Sequence, residues 1–388
     1  MLLPDSQSGF LSRYWQKQPL LIRRAIAQVA PALPADELAW LATQQDVEAR
    51  LVHTRHANGD CYYDLHEGPF EEISFTGLPQ NDWTLLVNDV DKHLPDFRQY
   101  LDHVDFIPDW RIDDLMVSFA ATGGGVGPHV DNYDVFLVQG AGRRRWMLGE
   151  PGRTEPDESS NSLSLVKPFE VVATYDVVEG DVLYLPPGVP HWGVAAEPCL
   201  TYSIGMRAPS AGDLGLTRNR LTEADDGSSR GDPVFYTDAD LSVNESLAGC
   251  IHPQAVRRIR EQGLLPDTLT DFETARILGC TVTDPKAWLM PEPPPADEII
   301  RLLAAPADRA IHGMARIAWY ESPEQAMVFV NGVAREVDRS LMELVRRICD
   351  SRAICATDLG RLLDSHEGAG LARWMLREGL FDTGHGVS

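Results

Sequence analysis

The sequence predicts an α+β protein in which a small β-barrel or double-sheet jelly roll is followed by helices and then by a module of mixed strands and helices. Three observations support this fold class. Between residues 115 and 206, short apolar strands alternate with glycine- and proline-rich turns, as in antiparallel barrels and jelly rolls. After Pro209 the chain becomes polar and helical in spacing. Beyond a proline-rich segment, residues 316–337 regain strand character.

The first hundred residues supply elements that precede the main run of strands. The predicted elements are a helix at 10–18, a strand after Pro19, a helix at 34–43, strands at 47–56 and 61–65, and a helix at 83–100. The first helix stops before Pro19 because proline disfavours helical backbone in the residue that precedes it. The helix at 83–100 is predicted from the apolar residues Leu86, Val90, Leu94 and Phe97, which recur every three or four residues.

The strands of the predicted barrel follow. They are placed at 115–120, 131–139, 145–148 and 169–175, within the run 178–188, and at 194–206. Gly140-Ala-Gly142 lies between the second and third of these strands, so a hairpin with a short glycine turn is expected there. Pro186-Pro187-Gly188 ends the strand that precedes His191.

The rest of the chain predicts a helical segment and a module that resembles a winged helix. The helices are placed at 211–225, 238–246, 253–262 and 267–279, and the C-terminal elements are strands at 316–320, 327–330 and 333–337 and helices at 340–350, 356–365 and 369–379. Prolines between 290 and 297 indicate a stiff linker. We therefore expect domains at 1–208, 209–290 and 291–388.

The charge balance limits the classes of partner. With 34 basic and 58 acidic residues, the chain carries a net charge of −24, which repels phosphate backbones and attracts basic proteins. Direct binding of nucleic acid is therefore not expected. The six cysteines lack the close spacing of a zinc ribbon. No signal-peptide pattern and no apolar run long enough to span a membrane are visible, so a cytoplasmic protein without a membrane partner is expected.

Two histidines and one aspartate form a candidate metal site. His129 and Asp131 are two residues apart on a segment predicted to be extended, and strand side chains alternate, so both point to one face. A lone pair of this kind is weak evidence. His191, at the end of the run GDVLYLPPGVPH, supplies a third ligand. Nitrogen and oxygen donors that leave coordination positions open favour Fe(II) over a closed structural zinc.

Long runs of the chain resemble the cupin-like Jumonji-C ribosomal oxygenases, and in particular the bacterial arginine hydroxylases of a large-subunit ribosomal protein. The resemblance covers essentially the whole length. Its strongest parts are residues 113–119 (DDLMVSF), 123–131 (GGGVGPHVD), 139–146 (QGAGRRRW), 180–191 (GDVLYLPPGVPH) and 202–209 (YSIGMRAP). It implies a Jumonji-C double-stranded β-helix, a helical dimerisation segment and a C-terminal winged-helix-like domain.

The resemblance also implies a function. Fe(II) would be held by His129, Asp131 and His191, and 2-oxoglutarate would chelate that ion, with its far carboxylate on Arg144 and the hydroxyl of Ser118. No further catalytic side chain is expected. The substrate would be an arginine of a basic ribosomal protein, bound by acidic and aromatic groups near the barrel mouth. Tyr133 is the candidate nearest the metal in sequence, and a buried packing role for this tyrosine is the alternative. The family also implies a homodimer.

Three other functions share parts of this pattern. A hydroxylase or demethylase of lysine or histidine would use the same metal and co-substrate residues. A cupin that senses a ligand and binds DNA through its last domain is disfavoured, because residues 299–388 hold 11 basic and 12 acidic residues and lack the basic footprint of a DNA reader. A metal-binding cupin without oxygenase activity would not need Arg144 and Ser118.

Overall fold

The structure, a computed structural model, describes residues 6–57, 60–157, 164–222 and 233–383. The chain forms two compact units. The barrel unit comprises Met1–Val104, Ile112–Met206 and Ala239–Leu241, and the helical unit comprises Asp105–Arg111, Arg207–Asp238 and Ser242–Ser388. The division into three domains, with boundaries at 208 and 290, stays a prediction. None of the helices described is long and apolar enough to cross a bilayer.

The barrel unit is built from two antiparallel sheets. Its strands are β1 Leu20–Ile22, β2 Ala49–Ala57, β3 Asp60–Glu67, β4 Trp83–Val87, β5 Ile112–Ala120, β6 Val135–Ala141, β7 Arg143–Leu148, β8 Ala173–Val178, β9 Val182–Leu185, β10 His191–Ala195 and β11 Cys199–Met206. The larger sheet has the order β1-β9-β6-β11-β5-β4-β2-β3, and the smaller sheet has the order β10-β7-β8. The two sheets confirm the predicted double-sheet barrel.

The core of the barrel unit joins the two sheets. One hydrophobic cluster combines Val135 and Leu183 of the larger sheet with Trp146, Leu148 and Val177 of the smaller one. Residues of both sheets therefore bury their apolar side chains against each other, which is the main source of stability in such packing. The predicted hairpin is wrong, because β6 pairs with β11 and β9 whereas β7 pairs with β10 and β8. The chain instead passes from the larger sheet to the smaller one at Gly142, whose positive φ of 64° suits a tight turn.

Short helices accompany these strands. They are α1 Gln7–Arg13, α2 Ala35–Leu41, α3 Ile73–Thr76 and α4 Val90–His93. Helix α1 begins where the Ser6 hydroxyl accepts a hydrogen bond from the amide of Gly9 at 3.1 Å, a standard N-cap. The predicted early helix, the strand after Pro19, the helix at 34–43 and the strands at 47–56 and 61–65 are all present, with shifted boundaries.

The helix predicted over 83–100 is wrong. Trp83–Val87 is the strand β4, which pairs with β2 on one side and β5 on the other. A strand buried on both faces presents a continuous apolar run rather than an alternating one, and such a run cannot be told from a helix by periodicity. Only Val90–His93 is α-helical, and Pro95–Val104 forms 3-10 turns.

Other strand boundaries were displaced by turns. The strand predicted at 131–139 begins only at Val135, and the strand predicted at 169–175 begins at Ala173. The strand predicted at 194–206 is two strands, because the chain turns at residues 196–198, where the amides of Ala196 and Glu197 bond to the carbonyl of Arg143. Pro198 has no amide hydrogen to continue the ladder.

The helical unit contains most of the helices. They are α5 Ala211–Thr222, α6 Pro253–Glu261, α7 Asp271–Thr283, α8 Ala296–Ala304, α9 Met342–Ser351, α10 Ala356–Leu363 and α11 His366–Arg377. The predicted helix at 211–225 is confirmed up to Thr222, and residues 223–225 lie outside the described residues. The helix predicted at 238–246 is wrong, since only Val243–Glu245 forms a 3-10 turn. Ser242 starts that turn with a capping box, as serine favours a cap over a helix interior.

Small strands complete the C-terminal module. They are β12 Arg309–Ala310, β13 Ile317–Glu321, β14 Ala326–Val330, β15 Val333–Val337 and β16 Ala353–Ile354. Strands β14 and β15 are joined by Asn331 and Gly332, which both have positive φ, as a two-residue hairpin requires. With α9, α10 and α11, these strands form the predicted combination of a small sheet and three helices.

Candidate metal and co-substrate site

The two histidine ligands are brought together by their own backbones. The amide of His129 donates to the carbonyl of His191 at 3.0 Å, and the amide of His191 donates to the carbonyl of His129 at 2.9 Å. Two residues that exchange both hydrogen bonds face each other across an antiparallel bridge, so their side chains emerge on the same side. The two ring centroids lie 4.1 Å apart.

The ring orientation leaves one nitrogen of each histidine for a metal. Nδ1 of His129 lies 3.0 Å from the carbonyl of Gly127, and Nδ1 of His191 lies 2.9 Å from the carbonyl of Val189. A carbonyl accepts only from a protonated nitrogen, so Nε2 carries the lone pair in both rings. Burial, followed by the nearby His129, lowers the pKa of His191 to about 4. The imidazole is therefore neutral at physiological pH, as a metal ligand must be.

Asp131 completes the group. Its Oδ2 lies 3.5 Å from Nε2 of His191, and one ligand atom from each of the three residues lies within 4.8 Å of the others. Within the described part of the chain, no fourth histidine, cysteine or acidic residue joins this group. Two nitrogens and one carboxylate on one side of an ion fit an octahedral metal such as Fe(II) whose other positions remain for ligands.

The three residues open into a cavity of about 420 Å³ within the barrel unit. Strands β5 and β11 supply matched pairs of side chains to its wall. Their register places Ser118 opposite Thr201, Met116 opposite Ser203 and Asp114 opposite Gly205, and all six residues line the cavity. Because these positions alternate along each strand, one face of the pair forms a continuous wall about 13 Å long, at roughly 3.3 Å per residue.

One end of the cavity contains a buried guanidinium that has no acidic partner among the residues that the structure describes. Arg144 is 3% exposed. Its Nη1 donates to the hydroxyls of Ser118 and Thr201 at 3.4 and 3.5 Å, and its Nη2 donates to the carbonyl of Gly193 at 3.4 Å. These bonds are long, and Nε has no partner. Burial lowers the pKa of Arg144, yet an arginine keeps its charge in proteins. These unused and long donors suit a bound anion.

Trp146 and Gly193 shape the same end. The Arg144 guanidinium carbon lies 4.9 Å from the centre of a Trp146 ring, a cation–π contact, and the indole Nε1 is buried without a partner. A Cβ on Gly193 would lie 2.6 Å from the Trp146 ring and 2.8 Å from Nε of Arg144. Glycine is therefore required for the space beside both groups, and both unused donors fit a carboxylate ligand.

The other end of the cavity carries two carboxylates, with the guanidinium of Arg50 also in its lining. The register between β5 and β11 shifts so that Gly205 faces Asp114 while Met206 faces Ile112. Asp113 is the extra residue of this β-bulge. Bulges redirect side chains, and both Asp113 and Asp114 line the cavity. Tyr133 lies at the same site and is 41% exposed, so it is not a buried packing residue.

The structure brings together every site residue that the sequence predicts and adds several others. His129, Asp131, His191, Ser118, Arg144 and Tyr133 all line the one cavity. Thr201, Trp146 and Gly193 were not predicted as site residues from the sequence. Trp146 nevertheless ends the run 139–146, and Thr201 directly precedes the run 202–209. Arg50 was also missed; it lines the cavity and donates to Oδ1 of Asn88 at 3.1 Å. The sequence signal for this wall was the alternation of Thr201, Ser203 and Gly205, which places all three residues on one face of a strand.

Comparison with known proteins agrees with this geometry. The family description "JmjC domain" matches residues 99–214, and "ROXA-like winged helix" matches residues 267–380. The chain is 38% identical over 257 residues to the ribosomal protein uL16 3-hydroxylase of Escherichia coli strain K12, and the match covers 66% of this chain and 65% of that protein. A probable ribosomal oxygenase of Haemophilus influenzae is 37% identical over 61% of this chain and 55% of its own length.

A solved structure extends the similarity to nearly the whole chain. The Escherichia coli ribosomal oxygenase YcfD, in complex with cobalt and 2-oxoglutarate, superposes with a TM-score of 0.71 at 30% identity and covers 98% of both chains. This match includes the barrel and the C-terminal module. The chain therefore belongs to the family of JmjC-domain ribosomal oxygenases with a ROXA-like winged helix.

Proposed function

We propose that this chain is an Fe(II)- and 2-oxoglutarate-dependent hydroxylase that acts on an arginine of a large-subunit ribosomal protein. The observation that carries the proposal is that three metal ligands and a buried arginine without an acidic partner share one cavity. The relatives described above, a uL16 3-hydroxylase and an oxygenase with cobalt and 2-oxoglutarate, support it.

His129, Asp131 and His191 would hold the iron, and Arg144, Ser118 and Thr201 would bind the far carboxylate of 2-oxoglutarate. When bound, iron and 2-oxoglutarate supply the oxidation of a substrate C–H bond by dioxygen, with succinate and carbon dioxide as co-products. A buried guanidinium suits the carboxylate because it offers parallel charge-assisted hydrogen bonds. The donors of Arg144 that are long or unused in the structure would then be satisfied.

The remaining residues orient the reactants and exclude water. Val135, Leu137 and Trp146 line the cavity and are each 6% exposed or less. A dry wall strengthens the electrostatic contacts within the cavity and limits side reactions of a reactive oxidant. No acid or base beyond the metal ligands is required, because the difficult chemistry belongs to the metal and its co-substrate.

The acidic end of the cavity fits an arginine side chain. Asp113 and Asp114 offer carboxylates, and Tyr133 offers an aromatic face. A guanidinium binds both kinds of group, through paired hydrogen bonds and through stacking. Asp131, followed by burial, raises the pKa of the Tyr133 phenol, so its hydroxyl stays protonated. Strand β5 carries both ends of this arrangement, from Ser118 at the co-substrate end to Asp114 at the substrate end.

Mass spectrometry of the host's ribosomal proteins tests the proposed function. Ribosomal proteins from cells with and without this chain would be digested and compared. We expect one arginine of a large-subunit protein to gain one oxygen atom only when the chain is present. Oxygen on a lysine or histidine would instead favour the alternative hydroxylases, and no difference between the two samples would contradict hydroxylation of ribosomal proteins.

We predict that the free ribosomal protein is a better substrate than the assembled ribosome. The enzyme's net charge of −24 attracts a basic protein and repels the phosphates of ribosomal RNA. Steering of this kind changes association rates by about 10- to 1000-fold, so we expect at least a ten-fold difference in kcat/KM at low ionic strength. Quantitative mass spectrometry with purified protein and with intact ribosomes measures it, and equal rates would contradict it.

We also propose that the helical unit mediates self-association. Helix α5 exposes Leu216, at 72%, and Leu221, and Val234 is 54% exposed. Exposed aliphatic side chains of this kind suit a protein interface. We expect sedimentation velocity to give a dimer for the unmodified chain and a monomer for Leu216→Glu; a monomer in both cases would contradict the proposal.

A further inference from the structure

The first residues of β5 have backbone groups without strand partners on the side of β4. Strand β4 pairs with β5 only from Thr84↔Ala120 to Val87↔Val117, so within the described residues the stretch of β5 before Val117 has no neighbouring strand on that side. Such groups need other partners when they are buried. Side chains supply them here. Nζ of Lys92 donates to the carbonyl of Asp113 at 3.0 Å, and Oδ1 of Asp91 accepts from the amide of Leu115 at 2.8 Å.

The partners come from a buried charged cluster at helix α4. Asp89, Asp91 and Lys92 are 1%, 3% and 9% exposed. Lys92 forms an ion pair with Oδ1 of Asp89, and its Nζ lies 4.0 Å from Oδ1 of Asp91. Buried charges are expensive unless they are paired. The reaction described above uses none of these three residues, so their burial needs another explanation.

Asp89 links this cluster directly to the cavity. Its backbone adopts the left-handed conformation, with φ 57° and ψ 28°, which persists in a residue other than glycine only when its surroundings enforce it. In this conformation the Asp89 amide donates to Oδ2 of Asp114 at 2.9 Å. The other oxygen of Asp114, Oδ1, lies beside Gly205, another cavity residue, since a Cβ on Gly205 would be 3.2 Å from it.

We propose that Lys92, with Asp89 and Asp91, is a positioning group that sets the Asp114 carboxylate for binding of the substrate guanidinium. This inference rests on the proposed function and adds residues that touch neither substrate nor cofactor. The cluster forms hydrogen bonds with three consecutive residues: with the Asp113 carbonyl, the Asp114 carboxylate and the Leu115 amide. Moving any of them rotates Asp114 relative to the cavity, and recognition of a guanidinium depends on the angle as well as on the distance.

The variant Lys92→Met keeps most of the side-chain volume and removes the charge. We expect it to weaken binding of an arginine-containing peptide of the host's uL16 by about 10- to 50-fold, the effect of misplacing a hydrogen bond to a charged group. The affinity for 2-oxoglutarate should change less than two-fold, because Ser118 lies at the far end of β5 and Arg144 lies beside it on β7. Calorimetric titration without oxygen, with Mn(II) in place of iron, measures both affinities.

Asp89→Asn provides a second variant if Lys92→Met does not fold. Asparagine tolerates the left-handed conformation and keeps the amide that donates to Asp114, but it loses the ion pair with Lys92. We expect a smaller loss of peptide affinity, about 3- to 10-fold. Lys286→Met, at a partly exposed lysine of the helical unit, is the control and should bind the peptide as the unmodified chain does.

A double-mutant cycle separates positioning from a general structural effect. If Lys92 acts through Asp114, Lys92→Met should weaken peptide binding on an Asp114→Asn background by less than about two-fold, because residues that share one interaction are not additive. Equal losses on both backgrounds, or unchanged peptide affinity in folded Lys92→Met and Asp89→Asn, would overturn the inference.

The same titration distinguishes this inference from the proposed function. If the unmodified chain binds the arginine peptide but hydroxylates nothing, the proposed reaction fails while the variants still test positioning. If the unmodified chain does not bind the peptide at all, there is no guanidinium subsite for Lys92 to organise, and the inference is overturned with it.

Discussion

Replacing Asp131 with alanine is expected to abolish turnover and metal binding. Asp131 supplies the only carboxylate among the three ligands, and two imidazoles alone bind Fe(II) weakly. Substitution of groups that merely support a metal ligand commonly costs about 10- to 100-fold, so loss of a ligand should lower kcat/KM by more than 100-fold. Succinate release measures turnover, and the electron paramagnetic resonance spectrum of Mn(II) measures metal binding.

Asp176→Ala is the control for this variant. Asp176 belongs to the same barrel unit, and its carboxylate pairs at the surface with Nε of Arg145 at 2.8 Å. It is not one of the residues that line the cavity. The control should retain metal affinity and turnover. If Asp131→Ala stayed folded and kept normal Mn(II) affinity, the assignment of the metal site would be wrong.

Replacing Arg144 with methionine is expected to raise the KM for 2-oxoglutarate by about 30- to 3000-fold, which corresponds to roughly 2–5 kcal/mol for one partner of a buried charged contact. The variant keeps a long apolar side chain against Trp146 but loses every charged donor to the carboxylate. Arg145→Met is a matched control, because Arg145 is the next residue on β7, lies at the surface and pairs with Asp176. Its KM should equal that of the unmodified enzyme.

The same substitution should stabilise the ligand-free protein. A buried guanidinium without an acidic partner is costly, so removing it should raise the free energy of unfolding by about 1 kcal/mol or more. For a unit of this size the melting temperature would rise by roughly 2–4 °C. Adding 2-oxoglutarate with Mn(II) should stabilise the unmodified chain and have little effect on the variant.

Differential scanning fluorimetry of both proteins, with and without 2-oxoglutarate, measures these shifts. An Arg144→Met variant that melts lower than the unmodified chain, or that is stabilised equally by 2-oxoglutarate, would show that Arg144 has a structural role instead. Either outcome would contradict the assignment of Arg144 to the binding of 2-oxoglutarate.

The metal ligands could be predicted because their signals are local. The alternation expected of an extended segment predicts His129 and Asp131 on one face, and the proline-rich stop before His191 marks the end of a strand. The sequence alone could not show that His129 and His191 form a backbone bridge, because that pairing joins segments 62 residues apart in the chain. Arg144 was proposed from the resemblance, and only the structure reveals its long hydrogen bonds and unused Nε.

The acidic end of the cavity could not be predicted in the same way. Whether Asp113 or Asp114 faces the cavity depends on the register between β5 and β11, and strict alternation would admit only one of them. The bulge admits both. The helix predicted over 83–100 failed for a related reason. Strand β4 lies between two neighbours and is apolar on both faces, so its pattern resembles that of a buried helix.

The most direct test of the central claim is isotopic labelling of the product with dioxygen that contains ¹⁸O. Purified enzyme, Fe(II), 2-oxoglutarate and the host's uL16 would be incubated under labelled dioxygen, and the peptides would be analysed by mass spectrometry. We predict one ¹⁸O atom on an arginine and one succinate for each hydroxylation. An unchanged arginine, an oxygen that derives from water, or hydroxylation that proceeds without 2-oxoglutarate would contradict the account.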